Sequence, residues 1–136
     1  MLKNLVGEWE FTGSILTDSN GQSLKDPANQ GSGILIYTST GTMAVQLNIP
    51  KVKSAKQEIA LSVDYLAYYG KYHFDVDTQQ VTHMIHNANI AALIGATVTR
   101  QVKYLKPGII SLKNTEAEAF GIDRLVFREL FWRCVS

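Results

Sequence analysis

Polar and apolar side chains alternate strictly over residues 70–76, and this pattern restricts the fold more than any other feature of the chain. Tyr72, Phe74 and Val76 are apolar, whereas the residues between them are polar. A period of two is typical of a strand with one buried face. A second strand-like run, residues 81–88, follows after a short polar break. The two runs predict a β-hairpin in the centre of the chain.

His83 is the residue of this hairpin that bears most directly on function. A two-residue loop at 78–79 would pair Phe74 with His83. The same loop would pair Tyr72 with Ile85. A slip of one whole pair would keep the same faces together, because side chains alternate with a period of two. We therefore expect the imidazole to lie on the apolar face, pointing into whatever the sheet encloses.

Other strand candidates occupy most of the remaining sequence. They are residues 8–17, 32–37, 42–49, 95–106, the run that follows Gly108, and 124–135. The inward face of the first is expected to carry Trp9, Phe11, Gly13 and Ile15. Residues 18–30 are rich in turn formers and predict a surface loop.

A glycine between the second and third strand candidates fixes their register. If Gly41 closes a three-residue loop with a positive φ, Tyr37 pairs with Met43. Leu35 then pairs with Val45. The face that we expect to line an interior holds Gly33, Leu35, Tyr37, Met43, Val45 and Leu47.

The strand candidate 95–106 places a cation on an apolar face. That face consists of Val98, Arg100, Val102 and Tyr104. A three-residue turn at 106–108 would pair Tyr104 with Ile110 and Val102 with Leu112. Arg100 is therefore expected to point inward with its apolar neighbours.

One short helix is predicted before the central hairpin. Ser54 and Gln57 have the spacing of a capping box, in which each side chain satisfies a free donor at the helix end. Behind them Ile59, Val63 and Leu66 recur at helical spacing. We expect this helix to cover one stripe of the sheet or to close one end of it.

These elements favour an all-β fold. Eight strand candidates are joined mostly by short links, and strands do not alternate with long helices. A closed antiparallel eight-stranded barrel with one short helix is the economical arrangement, because closure removes exposed edges. Residues 1–136 are predicted to form this single domain, and an open sandwich is the alternative.

Composition narrows the classes of function. With 13 basic and 12 acidic residues, the chain has no strong field to attract nucleic acid or an acidic membrane surface. Cys134 is the sole cysteine, which fits a reducing compartment. The N-terminus enters a strand-like pattern at once, so no signal peptide is expected. No apolar run approaches membrane-spanning length, and a cytoplasmic location is the expectation.

The motifs of the chain resemble those of the lipocalin-like domain family, small bacterial and fungal proteins with a calycin-type barrel. Gly7 and Trp9 resemble the Gly-x-Trp signature in which the tryptophan plugs one barrel end. The other matching pieces are Gly33, Leu35, Tyr37, Gly41, Met43, 45–47, 65–68, Gly70, Tyr72, 81–83, Asn89, Gly95, Arg100, Leu130 and Trp132. The resemblance implies a barrel with an interior cavity and implies little about activity.

The last strand departs from the family pattern. The family tends to place an arginine two residues after the final tryptophan, where this chain has Cys134. Arg133 comes one step early and on the opposite face. Arg128 or Arg100 could take over the contact with a tryptophan at the barrel end.

His83 and Arg100 are the candidate functional residues. A buried guanidinium is costly unless an acid, a stacked aromatic or a bound anion or carbonyl relieves it. The candidate ligand-binding set is Trp9, Tyr37, Met43, Val45, Leu47, Tyr72, Phe74, His83, Arg100 and Tyr104. Neither a metal site nor a cofactor is expected, since the histidines leave their strands on different faces. The competing interpretation stacks Arg100 on Trp9 and hydrogen-bonds His83 to a tyrosine.

Three functions remain open at this point. The first is binding of a small, largely hydrophobic ligand that has a carboxylate or carbonyl head. The second is a cofactor-free cyclase or isomerase, in which His83 moves a proton and Arg100 or a tyrosine stabilises the developing oxyanion. The third is a protein-interaction barrel with a filled interior. The run 124–135 is apolar on both faces, so its outer side is expected to meet the helix, a terminus or another chain, as in a homodimer.

Overall fold

The computed structural model describes residues 2–25, 27–49, 65–120 and 124–135. Ten antiparallel strands form one sheet in this part of the chain. They are β1 (Gly7–Asp18), β2 (Ser23–Leu24), β3 (Ser32–Tyr37), β4 (Thr42–Asn48), β5 (Tyr65–Asp75), β6 (Gln80–Ala88), β7 (Thr97–Lys106), β8 (Ile109–Asn114), β9 (Glu118–Phe120) and β10 (Arg124–Cys134). Short 3-10 helices span Pro27–Gln30 and Ala91–Leu93.

The sheet closes on itself through β1. Trp9 pairs with Leu35 of β3 on one side and with Cys134 of β10 on the other. The closed ring consists of eight strands, to which β2 and β9 add short edges. The closed antiparallel barrel predicted from the sequence is therefore confirmed.

A bulge in β1 changes which of its residues point inward. Phe11 pairs with Trp132 and Gly13 with Phe131, so Thr12 is an extra residue on this strand. Beyond the bulge Ser14 and Leu16 are buried, whereas Ile15 is 44% exposed. The prediction that Ile15 shares the inward face is wrong, because a simple period of two does not survive the inserted residue.

The β3–β4 hairpin has the predicted register. Tyr37 pairs with Met43 and Leu35 with Val45. Gly41 has a φ of 89°, the left-handed conformation that glycine adopts at no steric cost. The inner face that follows from this register is confirmed, since Leu35, Tyr37, Met43, Val45 and Leu47 are all buried.

The β5–β6 hairpin keeps the predicted faces but not the predicted register. Tyr72 pairs with His83 and Phe74 with Val81, one pair away from the expected match. The loop spans residues 76–79 instead of two residues, and Gln79 closes it with a φ of 56°. Because the slip is a whole pair, the imidazole remains on the inner face.

The start of β5 differs from the sequence interpretation. Most of the predicted helix, residues 54–64, lies outside the described residues. Tyr65 and Leu66 already belong to β5, so the predicted helical role of Leu66 is wrong. No helix in the described part of the chain has the length and apolar character needed to span a membrane.

The β7–β8 hairpin also has its predicted pairs, Tyr104 with Ile110 and Val102 with Leu112. A bulge at Leu105 shortens the loop to Pro107 and Gly108. Next to this bulge the side chain of Tyr104 is 42% exposed. The expectation that Tyr104 belongs to the interior is wrong, because Tyr104 lies at the end of β7, where residues 103–106 are all exposed.

The N-terminal segment fills one end of the barrel. Leu5 is fully buried, and its carbonyl oxygen accepts a hydrogen bond from Nε1 of Trp9 at 3.0 Å. The side chain of Gln79 exchanges hydrogen bonds with the backbone of Leu2. Leu5 belongs to the main hydrophobic core together with Met43 and Val81, and Leu2 packs against this core.

Candidate functional site

A cavity of about 270 Å³ lies inside the barrel. Most of its wall is aliphatic. The lining residues are Leu35, Val45, Leu47, Leu66, Tyr68, His83, Ile85, Leu93, Val98, Arg100, Leu112, Asn114, Arg128, Leu130 and Trp132. None of these described lining residues is acidic. The cavity therefore combines an apolar wall with polar groups that are neutral or positively charged.

His83 is held by two tyrosines. Its Nε2 lies 2.6 Å from the hydroxyl of Tyr37, and its Nδ1 lies 2.7 Å from the hydroxyl of Tyr68. The imidazole is only 3% exposed. Burial, followed by repulsion from Arg100, lowers the pKa of His83 to about 3. The ring is therefore neutral at physiological pH and carries a single N–H.

Both tyrosines stay protonated in this environment. Burial raises the pKa of Tyr68 to about 12, an effect that the nearby Arg100 guanidinium partly offsets. The pKa of Tyr37 is raised well above its usual value, chiefly by burial. Each phenol can therefore donate a hydrogen bond and accept one.

Trp132 lines the cavity and carries a buried polar atom without a partner among the described residues. The side chain is 1% exposed and packs edge-on against Phe11, with ring centroids 5.3 Å apart. Its Nε1 is buried and has no hydrogen-bond partner among the described residues. The other tryptophan, Trp9, is satisfied by the carbonyl of Leu5.

Arg100 and Arg128 lie on strands that flank β8. Arg100 pairs across the sheet with Asn114, and the same asparagine accepts a hydrogen bond at 2.7 Å from the backbone N–H of Arg128. Both arginines line the cavity, and Arg128 is 7% exposed. Two guanidinium groups therefore belong to one largely apolar wall.

The family comparison agrees with this architecture. The family model of the lipocalin-like domain matches residues 6–132. The chain belongs to the lipocalin-like domain family. A search of curated proteins found no match. Among solved structures, a redesigned β-barrel matches 93% of this chain and 89% of its own, at 13% identity and a TM-score of 0.41. That similarity is too low to carry any argument here.

The lipocalin-like barrel distributes the predicted site residues over three environments. Val45, Leu47, His83 and Arg100 line the cavity. The core contains Trp9, Tyr37 and Met43, and the partly buried Tyr72 and Phe74 pack against it, all five outside the cavity wall. Only Tyr104 lies on the surface. The expected contact between His83 and a tyrosine is present, with two tyrosines instead of one.

Sequence reasoning missed four polar residues of the cavity wall, namely Tyr68, Asn114, Arg128 and Trp132. Tyr68 lies between the predicted helix and the predicted strand at 70–76, although it has the same parity as Tyr72 and could have been placed on the inner face by extending the strand. Arg128 shares its parity with Trp132 in the same way. Correct boundaries for β5 and β10 would have been enough to place Tyr68 and Arg128 on the inner face, without any further motif.

A bulge next to Tyr68 sets where this tyrosine lies. Gly70 pairs with Ile85 and Tyr69 with Asn87, so His86 is the extra residue on β6. A Cβ atom on Gly70 would collide with the carbonyl oxygen of Met84. Glycine at this position therefore allows the two strands to approach where the lipocalin-like barrel turns Tyr68 toward His83.

Within the described residues, no three His, Cys or carboxylate side chains are grouped so that they could hold a metal ion. Both ring nitrogens of His83 are engaged by tyrosine hydroxyls. A ring nitrogen would therefore have to exchange its tyrosine partner before His83 could act as a base.

Proposed function

We propose that the barrel binds a small, largely apolar molecule whose head group accepts hydrogen bonds, such as a carboxylate or a carbonyl. The observation that carries this proposal is Trp132, a cavity-lining residue whose indole N–H is buried without a partner among the described residues. A buried donor of this kind is costly when it is unsatisfied. An acceptor atom of a bound molecule would remove that cost.

The size and composition of the cavity support the apolar part of the proposal. Its volume of about 270 Å³ is just below the range of roughly 300–1,000 Å³ that is typical of ligand pockets. Aliphatic side chains such as Val45, Leu47 and Leu112 supply most of the wall. Burial of a hydrocarbon body against them would stabilise the complex by about 25 cal/mol per Å² of apolar surface.

The charges of the cavity-lining residues support the proposed polar head group of the ligand. Arg100 and Arg128 both line the cavity, whereas no described lining residue is a carboxylate. A guanidinium has five N–H donors in a planar fork, which matches the geometry of a carboxylate. Charge-assisted hydrogen bonds of this type are stronger than neutral ones.

The two other hypotheses have less support. A proton-moving role for His83 requires an accessible ring nitrogen, and both are occupied by Tyr37 and Tyr68. A filled interior does not fit a cavity of this volume. Ligand binding therefore takes precedence over catalysis and over a purely protein-binding role.

Two measurements test the proposed function. Native mass spectrometry of protein purified from its own host should reveal a co-purifying small molecule that leaves on denaturation. Isothermal titration calorimetry with 3-phenylpropanoate and with propylbenzene, which share their aromatic body, should show binding of both and tighter binding of the carboxylate. Absence of any co-purifying molecule together with no binding of either probe would overturn the proposal.

A further inference from the structure

We propose that Tyr37 and His83 orient the hydroxyl hydrogen of Tyr68 toward the cavity, so that Tyr68 selects carboxylate or enolate heads over alcohol or ammonium heads. This inference rests on the proposed function, because it names the residue that sets the class of ligand. Tyr68 would contact the ligand directly. Tyr37 and His83 would be positioning residues that act through it.

The argument begins with the hydrogen-bond inventory of the three side chains. Among the described residues, the hydroxyl of Tyr37 has one hydrogen-bond partner, Nε2 of His83. The hydroxyl of Tyr68 likewise has one, Nδ1 of the same ring. A neutral imidazole has one donor nitrogen and one acceptor nitrogen. The chain of three groups can therefore run in only two directions.

In the first direction, Tyr37 donates to Nε2 of His83, and Nδ1–H donates to the oxygen of Tyr68. The hydrogen of the Tyr68 hydroxyl is then left over. Tyr68 lines the cavity and is only partly buried, so this hydrogen can be used by a bound acceptor or by solvent. In this direction, neither Tyr37 nor His83 has a buried donor that lacks an acceptor.

In the opposite direction, Tyr68 donates to Nδ1 of His83, and Nε2–H donates to the oxygen of Tyr37. The hydrogen of the Tyr37 hydroxyl would then have no acceptor among the described residues. Tyr37 is 1% exposed, so this hydrogen could not be satisfied by bulk water. A buried donor without an acceptor is costly, and the first direction is therefore favoured.

Packing holds the orienting pair in place. The ring of Tyr72 lies against that of Tyr37 with centroids 4.6 Å apart, and its own hydroxyl donates to the carbonyl oxygen of Thr38 at 2.7 Å. Tyr37 comes from β3 and His83 from β6, so the contact between them spans the barrel interior. Rotation of either ring would break the short hydrogen bond between them.

The consequence is a cavity whose polar groups converge as donors. Tyr68 presents an O–H, Trp132 carries an N–H without a partner among the described residues, and Arg100 and Arg128 add positive charge to the same wall. An ammonium head would face these donors with donors of its own. A carboxylate or enolate oxygen can accept from several of them at once.

The tautomer of His83 is the direct test, and it needs neither a ligand nor a variant. Two-bond ¹H–¹⁵N correlation spectra of the ligand-free protein distinguish a protonated ring nitrogen from a bare one. The inference predicts the proton on Nδ1. A proton on Nε2 would overturn the inference and would leave the proposed function standing, because the latter depends on Trp132 and the cavity.

Binding of matched probes gives the second test. Tyr68→Phe should weaken 3-phenylpropanoate about 5- to 20-fold and leave propylbenzene within about twofold. Tyr65→Phe is the control, since it removes a phenol of the same strand whose hydroxyl donates to Oε1 of Gln46 on the exposed side of the sheet. Equal losses for both probes in Tyr68→Phe would mean that the tyrosine only supports the fold, and would overturn the inference.

A comparison of head groups separates the two proposals. The wild-type protein should bind 3-phenylpropanoate more tightly than 3-phenylpropan-1-ol and 3-phenylpropylamine. This preference should shrink in Tyr37→Phe, in which the tautomer of His83 is no longer fixed. If no probe binds at all, the proposed function fails, whereas a preference that is unchanged in Tyr37→Phe contradicts only the orienting role.

Discussion

The hydroxyl of Tyr37 lies 2.6 Å from Nε2 of His83, although the two residues are separated by 46 positions in the chain. The contact places a neutral imidazole between two phenols in the interior of the barrel. It also explains why His83 can be buried without a countercharge, because each ring nitrogen has a hydrogen-bond partner. Because both ring nitrogens of His83 are occupied, a ligand would interact with the other polar residues of the cavity wall, such as Tyr68.

Replacement of either cavity arginine should weaken anion binding selectively. Arg100→Gln and Arg128→Gln are each expected to lower the affinity for 3-phenylpropanoate about tenfold or more, because a charge-assisted hydrogen bond is lost. The affinity for propylbenzene should change by less than about threefold. Isothermal titration calorimetry measures both.

Arg133→Gln is the matched control for those variants. It removes the same charge, but Arg133 is an exposed residue whose guanidinium pairs with Glu10 at 2.7 Å on the outer surface. Surface ion pairs of this kind contribute little to stability. If Arg133→Gln weakens the carboxylate as much as Arg128→Gln does, the effect is one of net charge and the cavity assignment is wrong.

Protonation of His83 should limit stability at low pH. The pKa of the imidazole is lowered from 6.5 to about 3 in the folded protein, so the unfolded chain binds the extra proton between these values. The free energy of unfolding should therefore fall as the pH drops from 6.5 toward 3, by roughly 4 kcal/mol from this group.

Urea denaturation at a series of pH values checks that expectation. The corresponding part of the pH dependence should be absent in His83→Gln, whatever the absolute stability of the variant. The C–H resonances of the His83 ring in the wild-type protein should also show no titration between pH 5 and 8. A titration midpoint near 6.5 for this ring would show that it is not held as described.

Gly70→Ala should destabilise the barrel by more than an ordinary loop substitution. The added Cβ would collide with the carbonyl oxygen of Met84 at the bulge, and we expect a loss of about 2–4 kcal/mol. Gly41→Ala is the comparison, because that glycine has a φ of 89° but open space around a Cβ. Gly41→Ala should lower the free energy of unfolding by only about 1–2 kcal/mol. Equal losses in chemical denaturation would contradict the role assigned to the bulge.

The sequence alone predicts the pairing of neighbouring strands where a local turn sets their register. Gly41 determined the register of β3 and β4, and the face that carries Tyr37 and Val45 followed from it. The inward position of His83 was predictable even though the loop of its hairpin was longer than expected. A whole-pair slip does not change the face on which a side chain lies.

The residues that were misplaced lie beside bulges or strand ends. Ile15 follows the extra residue Thr12, whereas Tyr104 lies at the end of β7, where residues 103–106 are all exposed. Tyr68 was missed because β5 begins at Tyr65, where helical spacing was extrapolated from the preceding segment. An inserted residue reverses the parity of everything after it, and no single-sequence pattern marks its position.

The indole N–H of Trp132 tests the central claim most directly, because its resonance can be followed while a ligand is added. With ¹⁵N-labelled protein and 3-phenylpropanoate, the Trp132 signal should move downfield as its N–H acquires an acceptor. The signal of Trp9, which already donates to the carbonyl of Leu5, should stay in place. Binding of the probe with an unchanged Trp132 signal, or with a shift at Trp9 alone, would contradict the account.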